Sequence, residues 1–529
     1  VVDLDRETLA AIRAASEADL FSFAKGILGY DRLVERIHGP VCAALADEGI
    51  PRLNVLQPRS TYKSTVATIS YPLWKALQVP EWTSLIGFNT EKNAKSKLRE
   101  IKQHVERNTL LRALWPERMP DFHQTTWGAL EASLRRDQVT SGTPTWVAAG
   151  LTTKVVSHHF HEIIMDDLVT PDVDDITEEA VIPDNQTLAM AAAWYRGTRS
   201  LFNDPKVNRL INVGTRGGLK DLYSIVMANP AFAAHSLEYR AEDEAGNVLM
   251  PEMFDRRLLD EIKAEMGTTL YALWYLNVPI DTTELVFNPQ DENFYEEAPS
   301  PEGLRVYSAI DVAASTSKDA DNTAIVTVGV DGAGQCLVLD EQYGRWEPME
   351  TIQRLFWVQR TFRPISVGVE KAAFQVFFVK ILPYFEQEMG ERLNIREMTR
   401  GSSKELRILR LQPYVENRRL KFPRGGAKNL LREMRDFRMS QRRRGHDDAL
   451  DACADACQLA GLGGAVRTEA PAERARRRWT ADEVAQWWRR ERMDPEKAIA
   501  REVAAAEGGP ADGQMRARRY HYLERAGSS

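Results

Sequence analysis

The chain has 529 residues, 43% of them hydrophobic and 27% charged, with a net charge of −7 and a pI of about 5.9. That length has room for two or three domains at about 150 residues each, and the composition excludes a disordered, collagen-like or disulfide-built chain. No apolar run reaches the ~18 residues of a membrane span, and four cysteines (Cys42, Cys336, Cys453, Cys457) fit a reducing compartment.

The first stretch, VVDLDRETLAAIRAASEADL, reads as a charged amphipathic helix and not as a secretion signal, so residues 1–50 are predicted to be a helical segment. From 51 to 235 short apolar runs alternate with helical patterns: RLNVL, SLIGF, TWVAAG, HEIIMDD, RLINVGT. Such alternation marks a parallel α/β sheet. Residues 236–300 combine a charged strand-like piece, the helix DRRLLDEIKAEMGTTLYALWYL and the polar stretch NPQDENFYEEAPSPEG, a lid or linker region. A second α/β unit spans 301–465, with strands RVYSAIDVA, NTAIVTVGVD, QCLVLDEQ and ISVGVE and a last helix from about 446 to 460. In that helix Cys453 and Cys457 read as small buried hydrophobes. Residues 466–529 are charged; Thr480 and Glu483 form a capping box for a helix carrying Trp487 and Trp488, followed by a flexible tail.

Two constellations carry chemistry. The first is Gln57-Pro58-Arg59-Ser60-Thr61-Tyr62-Lys63-Ser64-Thr65, after the strand RLNVL. It ends like a phosphate loop, G-x-x-x-x-G-K-[ST], but Gln57 and Tyr62 replace both glycines. Taken alone, an ordinary polar turn is an equal reading. The strand His161–Asp167, ending in Asp166 and Asp167, supplies the second requirement of a P-loop ATPase. Lys63 would reach the β/γ-phosphates, Ser64 would hold Mg2+ with Asp166 beside it, and Asp167 would orient the attacking water. Thr215 and Arg216, ending LINVGT-R, suit a γ-phosphate sensor.

The second constellation is Asp311 inside an apolar strand, Glu370 ending another, and Asp447 with Asp448 opening the last helix. This is the RNase H-like arrangement, in which carboxylates hold two Mg2+ or Mn2+ ions that clamp a phosphodiester. Either Asp447 or Asp448 caps the helix while the other binds metal; Asp451 and Asp455 extend the same face. Between 418 and 444 stand eleven Lys/Arg and two acids. Arg418, Arg419, Lys421, Arg424, Lys428, Arg442, Arg443 and Arg444 are the predicted DNA-backbone contacts. His158, His159 and His161 are read as strand-edge histidines rather than zinc ligands, for want of a further ligand nearby.

An ATPase with a glycine-poor loop fused to an RNase H-like nuclease resembles the large terminase subunit of tailed bacteriophages. PRSTYKST, HEIIMDDLV, INVGTRGGLKDLY and GHDDALDACADA carry the likeness over about residues 35–465. The resemblance implies an α/β fold, a P-loop (ASCE-type) ATPase domain followed by an RNase H-like nuclease domain. It implies an ATP-driven motor moving double-stranded DNA into a procapsid and cutting concatemers, with ATP and Mg2+ in the motor. The implied partners are DNA, a portal protein, a small terminase subunit and a homo-oligomeric ring, without membrane, in host cytoplasm and transiently at the portal vertex. One departure concerns the transition-state arginine: no Arg lies between 137 and 195, and Arg135, Arg136, Arg196 and Arg199 are the nearest, with Lys154 the only base between them. A cellular helicase-nuclease would need further motifs. A non-catalytic DNA-binding assembly protein with a dead loop is the alternative of a different class.

Overall fold

The computed structural model describes residues 4–462, with interruptions of which 313–321, 371–378 and 439–446 are the longest. Lys154, Gly218, Arg442, Arg443, Arg444, Trp487 and Trp488 lie outside the described residues.

Two seven-stranded sheets organise the chain. The first is built from β1 (Arg52–Leu56), β2 (Ser84–Phe88), β3 (Glu131–Ala132), β4 (Trp146–Gly150), β5 (Glu162–Asp166), β8 (Arg209–Gly214) and β9 (Ser236–Glu238). β6 (Asp172–Val173) and β7 (Ala180–Val181) form a separate pair. The strand order is β3-β4-β2-β5-β8-β1-β9, parallel throughout except for β3. β8 therefore lies between β1 and β5, the added-strand order of ASCE-type ATPases. Leu53, Val55, Ile86, Ile164 and Ile211 pack on one face, and Leu56, Leu85, Ile163, Met165 and Leu210 on the other. Burial on both faces is why these strands read as continuous apolar runs. β9 pairs with β1, so this sheet continues one strand past residue 235.

The second sheet holds β10 (Phe294–Tyr295), β11 (Arg305–Asp311), β12 (Thr323–Val330), β13 (Cys336–Gly344), β14 (Ser366–Glu370), β15 (Ile395–Met398) and β16 (Leu420–Pro423). Its order is β10-β16-β13-β12-β11-β14-β15. β11, β12 and β13 run antiparallel, while β14 and β15 lie parallel to β11. The helix Asp448–Leu459 packs on β11 and β12. This is the RNase H-like arrangement that the acidic residues predicted. All four cysteines are free and buried, and Cys336 Sγ lies 3.8 Å from Cys457 Sγ.

One helix, Arg256–Tyr275, touches both units. It breaks at Gly267, whose φ of 80° is a left-handed conformation open to glycine at little cost. Past the break, Thr268 donates from N and Oγ1 to the Glu416 carboxylate at 3.2 and 2.6 Å, and Thr269 N donates to Gln412 Oε1 at 3.2 Å. Near its other end Trp274 lies under the Arg59 guanidinium, 4.3 Å from the ring centre. No helix among the described residues is long and apolar enough to cross a membrane.

Candidate nucleotide site and carboxylate cluster

β1 ends at Leu56, and its parallel neighbours bring Asp166 and Thr215 to the same edge of the sheet. The loop from Gln57 to Lys63 turns through two left-handed residues, Ser60 (φ 62°) and Tyr62 (φ 61°). Tyr62 thus adopts the backbone that glycine normally supplies, at about 1–2 kcal/mol. Its surroundings hold it there. His38, on the helix Glu35–Ala46, donates from Nε2 to the Thr61 carbonyl at 2.9 Å while Nδ1 accepts from Val34 N. The His38 ring meets Tyr62 edge-on, with centroids 6.3 Å apart. Thr61 Oγ1 donates to the Pro58 carbonyl, and Thr215 Oγ1 to the Gln57 carbonyl at 2.9 Å. Arg59 N bonds the Trp274 carbonyl at 3.2 Å. Thr65 opens a wide-turned helical segment, Thr65–Ser70, that leads into the helix Tyr71–Gln78.

Lys63 is 7% exposed, and its amine lies 3.3 Å from Asp167 Oδ2. Ser64 Oγ donates to Asp166 Oδ1 at 3.1 Å, and Thr68 Oγ1 to Oδ2 at 2.7 Å. Burial, then the charge of Asp167, pushes the Asp166 carboxyl up to about 6. Lys63, Ser64, Asp166 and Asp167 therefore meet in one place. Both amide atoms of Gln57 are buried there without a hydrogen-bond partner.

Arg216 is buried beside Asp221, with Nε 2.9 Å from Oδ2, and Asp221 also caps the helix Leu222–Met227. Replacing Asp221 with alanine leaves a buried guanidinium without its carboxylate. A loss of about 3–5 kcal/mol is expected, read as a fall in the denaturant midpoint. Arg136 bonds the Thr143 carbonyl, and Arg199 lies in the short helix Thr198–Leu201, whose Leu201 carbonyl accepts from Phe160 N. Both positions flank the starts of β4 and β5, the edge opposite the loop. Arg135 and Arg196 are exposed. Arg59 and Arg216 stand at the loop's own edge.

Burial lowers the His38 pKa below 6.5. The unfolded chain then takes up the proton first as pH falls. The stability that neutral His38 contributes is complete above about 6.5 and is lost below it, down to the depressed value. Thermal melts should show this acid-side slope in the native chain and a flatter one in His38→Gln.

At the second site, Ile310 pairs with Val369, which sets Asp311 and Glu370 side by side at the ends of parallel strands. Asp447 holds the N-cap position of the last helix without making a capping bond, and Asp448 begins the helix. Asp448 is buried and accepts from Asn322 N at 3.1 Å. Lys404, which no sequence motif marks, joins the cluster from the helix Lys404–Leu409. Its amine lies 2.8 Å from Asp447, 3.3 Å from Asp451 and 3.6 Å from Asp311. Burial opposes its charge, but Asp451, Asp311 and Asp447 outweigh that and raise its pKa. Arg407 holds Asp451 at 2.6 and 2.8 Å and lies 3.3 Å from Asp455. Both acids are thus partners in a buried ion pair. No three His, Cys, Asp or Glu side chains among the described residues are spaced to hold a metal ion. Glu433 lies against the helix start and accepts from Leu450 N. Burial, reinforced by the charge of Asp448, pushes it up to about 8.

The basic residues divide. Leu420 pairs with Cys336, at the sheet end where Arg305 meets Val330; Asp311 meets Ala324 at the other end. Arg418, Arg419 and Lys421 therefore stand at the end away from the carboxylates. They are occupied locally: Arg418 lies 3.7 Å from Glu292, Lys421 bonds the Glu292 carbonyl, and Arg419 bonds the Gly334 carbonyl. Arg424 pairs with Asp291 and Glu296. Lys428 is exposed at the start of the helix Lys428–Asp436, whose Glu433 reaches the last helix. His161 stacks on Trp82 with centroids 5.0 Å apart, and His158 lies 3.5 Å from Glu131.

Residues 308–459, which span this cluster, match the family described as the Terminase RNaseH-like domain. The second unit belongs to that terminase family. An ASCE-type unit lies ahead of it in the same chain. Among solved structures, the chain is similar to the large terminase of a thermophilic bacteriophage (11% identity, TM-score 0.49, 80% of this chain and 98% of that one). It is also similar to the large terminase of bacteriophage HK97 (12%, TM-score 0.33, 84% and 99%). A third is the large terminase nuclease domain of bacteriophage SPP1 with bound Mn (12%, TM-score 0.23, 33% and 99%). No curated protein sequence matches this chain.

Proposed function

We propose that this chain is a large terminase subunit, an ATP-hydrolysing DNA-packaging motor that also cuts DNA with a metal-dependent endonuclease. The observation that carries the motor half is the meeting of Lys63 with Asp167 and of Ser64 with Asp166. Lys63 would hold the β/γ-phosphates, exchanging its Asp167 partner for them. Asp167, released, orients the attacking water and takes its proton. Ser64 and Asp166 would hold Mg2+, which neutralises charge on the phosphate oxygens. The partnerless Gln57 amide and the hydroxyl of Thr215 face the same edge. Arg59, Ser60, Thr61, Tyr62 and Thr65 complete the binding loop.

In the nuclease half, Asp311, Glu370, Asp447 and Asp448 supply hard oxygen donors of the kind Mg2+ and Mn2+ take. The fit to a cation is supported by Lys404, whose ammonium already sits among these carboxylates. Bound divalent ions would polarise the phosphodiester and stabilise the leaving oxygen. The chain's own part is to hold the acids: parallel pairing fixes Asp311 beside Glu370, and Asn322 fixes Asp448. Lys428, with Arg442, Arg443 and Arg444 close in sequence to Asp447, is the DNA-backbone contact favoured by position. Arg418, Lys421 and Arg424 would bind DNA only after leaving the acidic segment 291–296, and Arg419 only after leaving the Gly334 carbonyl.

The role implies double-stranded DNA, a portal protein, a small terminase subunit and a ring of copies as partners, in host cytoplasm and at the portal vertex. The domain limits that accompany it are 1–50, 51–235, 236–300, 301–465 and 466–529, with β9 added to the ATPase core. The test is to measure ATP hydrolysis and Mn2+-dependent plasmid nicking on one preparation. Both activities are expected. A chain that binds DNA but does neither is the non-catalytic assembly protein instead.

A further inference from the structure

We propose that Lys404 is a tethered cation that competes with divalent metal for the nuclease carboxylates. This rests on the reading that those carboxylates bind metal.

Asp311 and Glu370 lie on adjoining strand ends and Asp447, Asp448, Asp451 and Asp455 along the last helix, and among the described residues Lys404 and Arg407 pair with acids of this group. Arg407 already neutralises Asp451, its Nη2 reaching both carboxylate oxygens. Lys404 is not needed for that acid, and its shortest contact is with Asp447, at 2.8 Å. Its charge therefore serves the two acids of the predicted metal set that it touches, Asp447 and Asp311. An ammonium is satisfied at about 2.8 Å from oxygen, whereas Mg2+ and Mn2+ draw oxygens in to roughly 2.0–2.2 Å. The same carboxylates cannot meet both cations in one place. Metal entry thus requires the ammonium to leave Asp311 and Asp447. Lys404 holds the acids together without metal and sets the metal concentration at which cutting begins.

The test is calorimetric titration of the nucleotide-free full chain with MnCl2. Asp311→Asn is the control that identifies heat from this cluster. Lys404→Met should tighten Asp311-dependent Mn2+ binding by roughly tenfold or more, because a unit charge within about 4–6 Å moves an ionic equilibrium by about 1–3 decades. Lys404→Arg, which keeps the charge, should stay much closer to the native affinity. Equal or weaker binding by Lys404→Met overturns the proposal. If neither the native chain nor the variant shows Asp311-dependent heat, the metal reading falls and this proposal with it.

A second measurement needs no variant. Amine-reactive labelling of the native chain, read by mass spectrometry, should find Lys404 protected in EDTA and several-fold more reactive at saturating Mn2+. Unchanged protection at saturation, with Asp311-dependent binding present, contradicts displacement.

Discussion

Lys63→Ala is expected to abolish ATP hydrolysis while Mn2+-dependent nicking continues at the native rate. The amine of Lys63 is buried at the end of a loop whose backbone is fixed from three sides: by His38 at Thr61, by Thr215 at Gln57 and by Trp274 at Arg59. Alanine leaves that backbone in place and removes the ammonium held against Asp167. Preorganised charge at a reacting phosphate is worth roughly 10^2–10^3 in rate for a single donor, so turnover should fall to background in a phosphate-release assay. The loss should not reach the second site, whose acids sit on β11, β14 and the last helix of a separate sheet.

The converse substitution, Asp311→Asn, should stop cutting and leave ATP hydrolysis unchanged. The side chains are nearly the same size, so the fold has little to adjust. The change removes a negative charge beside Glu370 and from the contact with Lys404. A carboxylate that clamps metal at a phosphodiester has no substitute in an amide, and nicking should fall by at least roughly 10^2-fold. Supercoiled plasmid, resolved on a gel over a Mn2+ series, reads this directly.

Much of the fold was legible in the sequence because buried parallel strands are written as apolar runs. RLNVL, SLIGF, TWVAAG, HEIIMDD and RLINVGT all form strands of the first sheet. The acids at strand ends were legible too, since a carboxylate in or closing an apolar strand must face a partner or an edge. The meeting of Lys63 and Ser64 with Asp167 and Asp166 could be read despite the missing glycines, because a loop ending in Lys-Ser and an acidic strand end are expected together. What let Tyr62 turn left-handed could not be read, because His38 arrives from a helix 24 residues earlier. Lys404 was hidden for the same reason: 93 residues separate it from Asp311, and a lysine in GSSKELRIL carries no pattern. The basic run misled where chain proximity stood in for position. β16 pairs with the start of β13, which carries Arg418, Arg419 and Lys421 to the far end of the sheet. Lys428, a few residues later, lies nearer the last helix.

Two chemically independent sites on one chain are the core of the proposed mechanism. The most direct measurement assays Lys63→Ala and Asp311→Asn side by side for ATP turnover and plasmid nicking, after melting curves show both folded. Each variant is expected to lose one activity and keep the other. Loss of both activities in either folded variant would contradict the independence of the two sites.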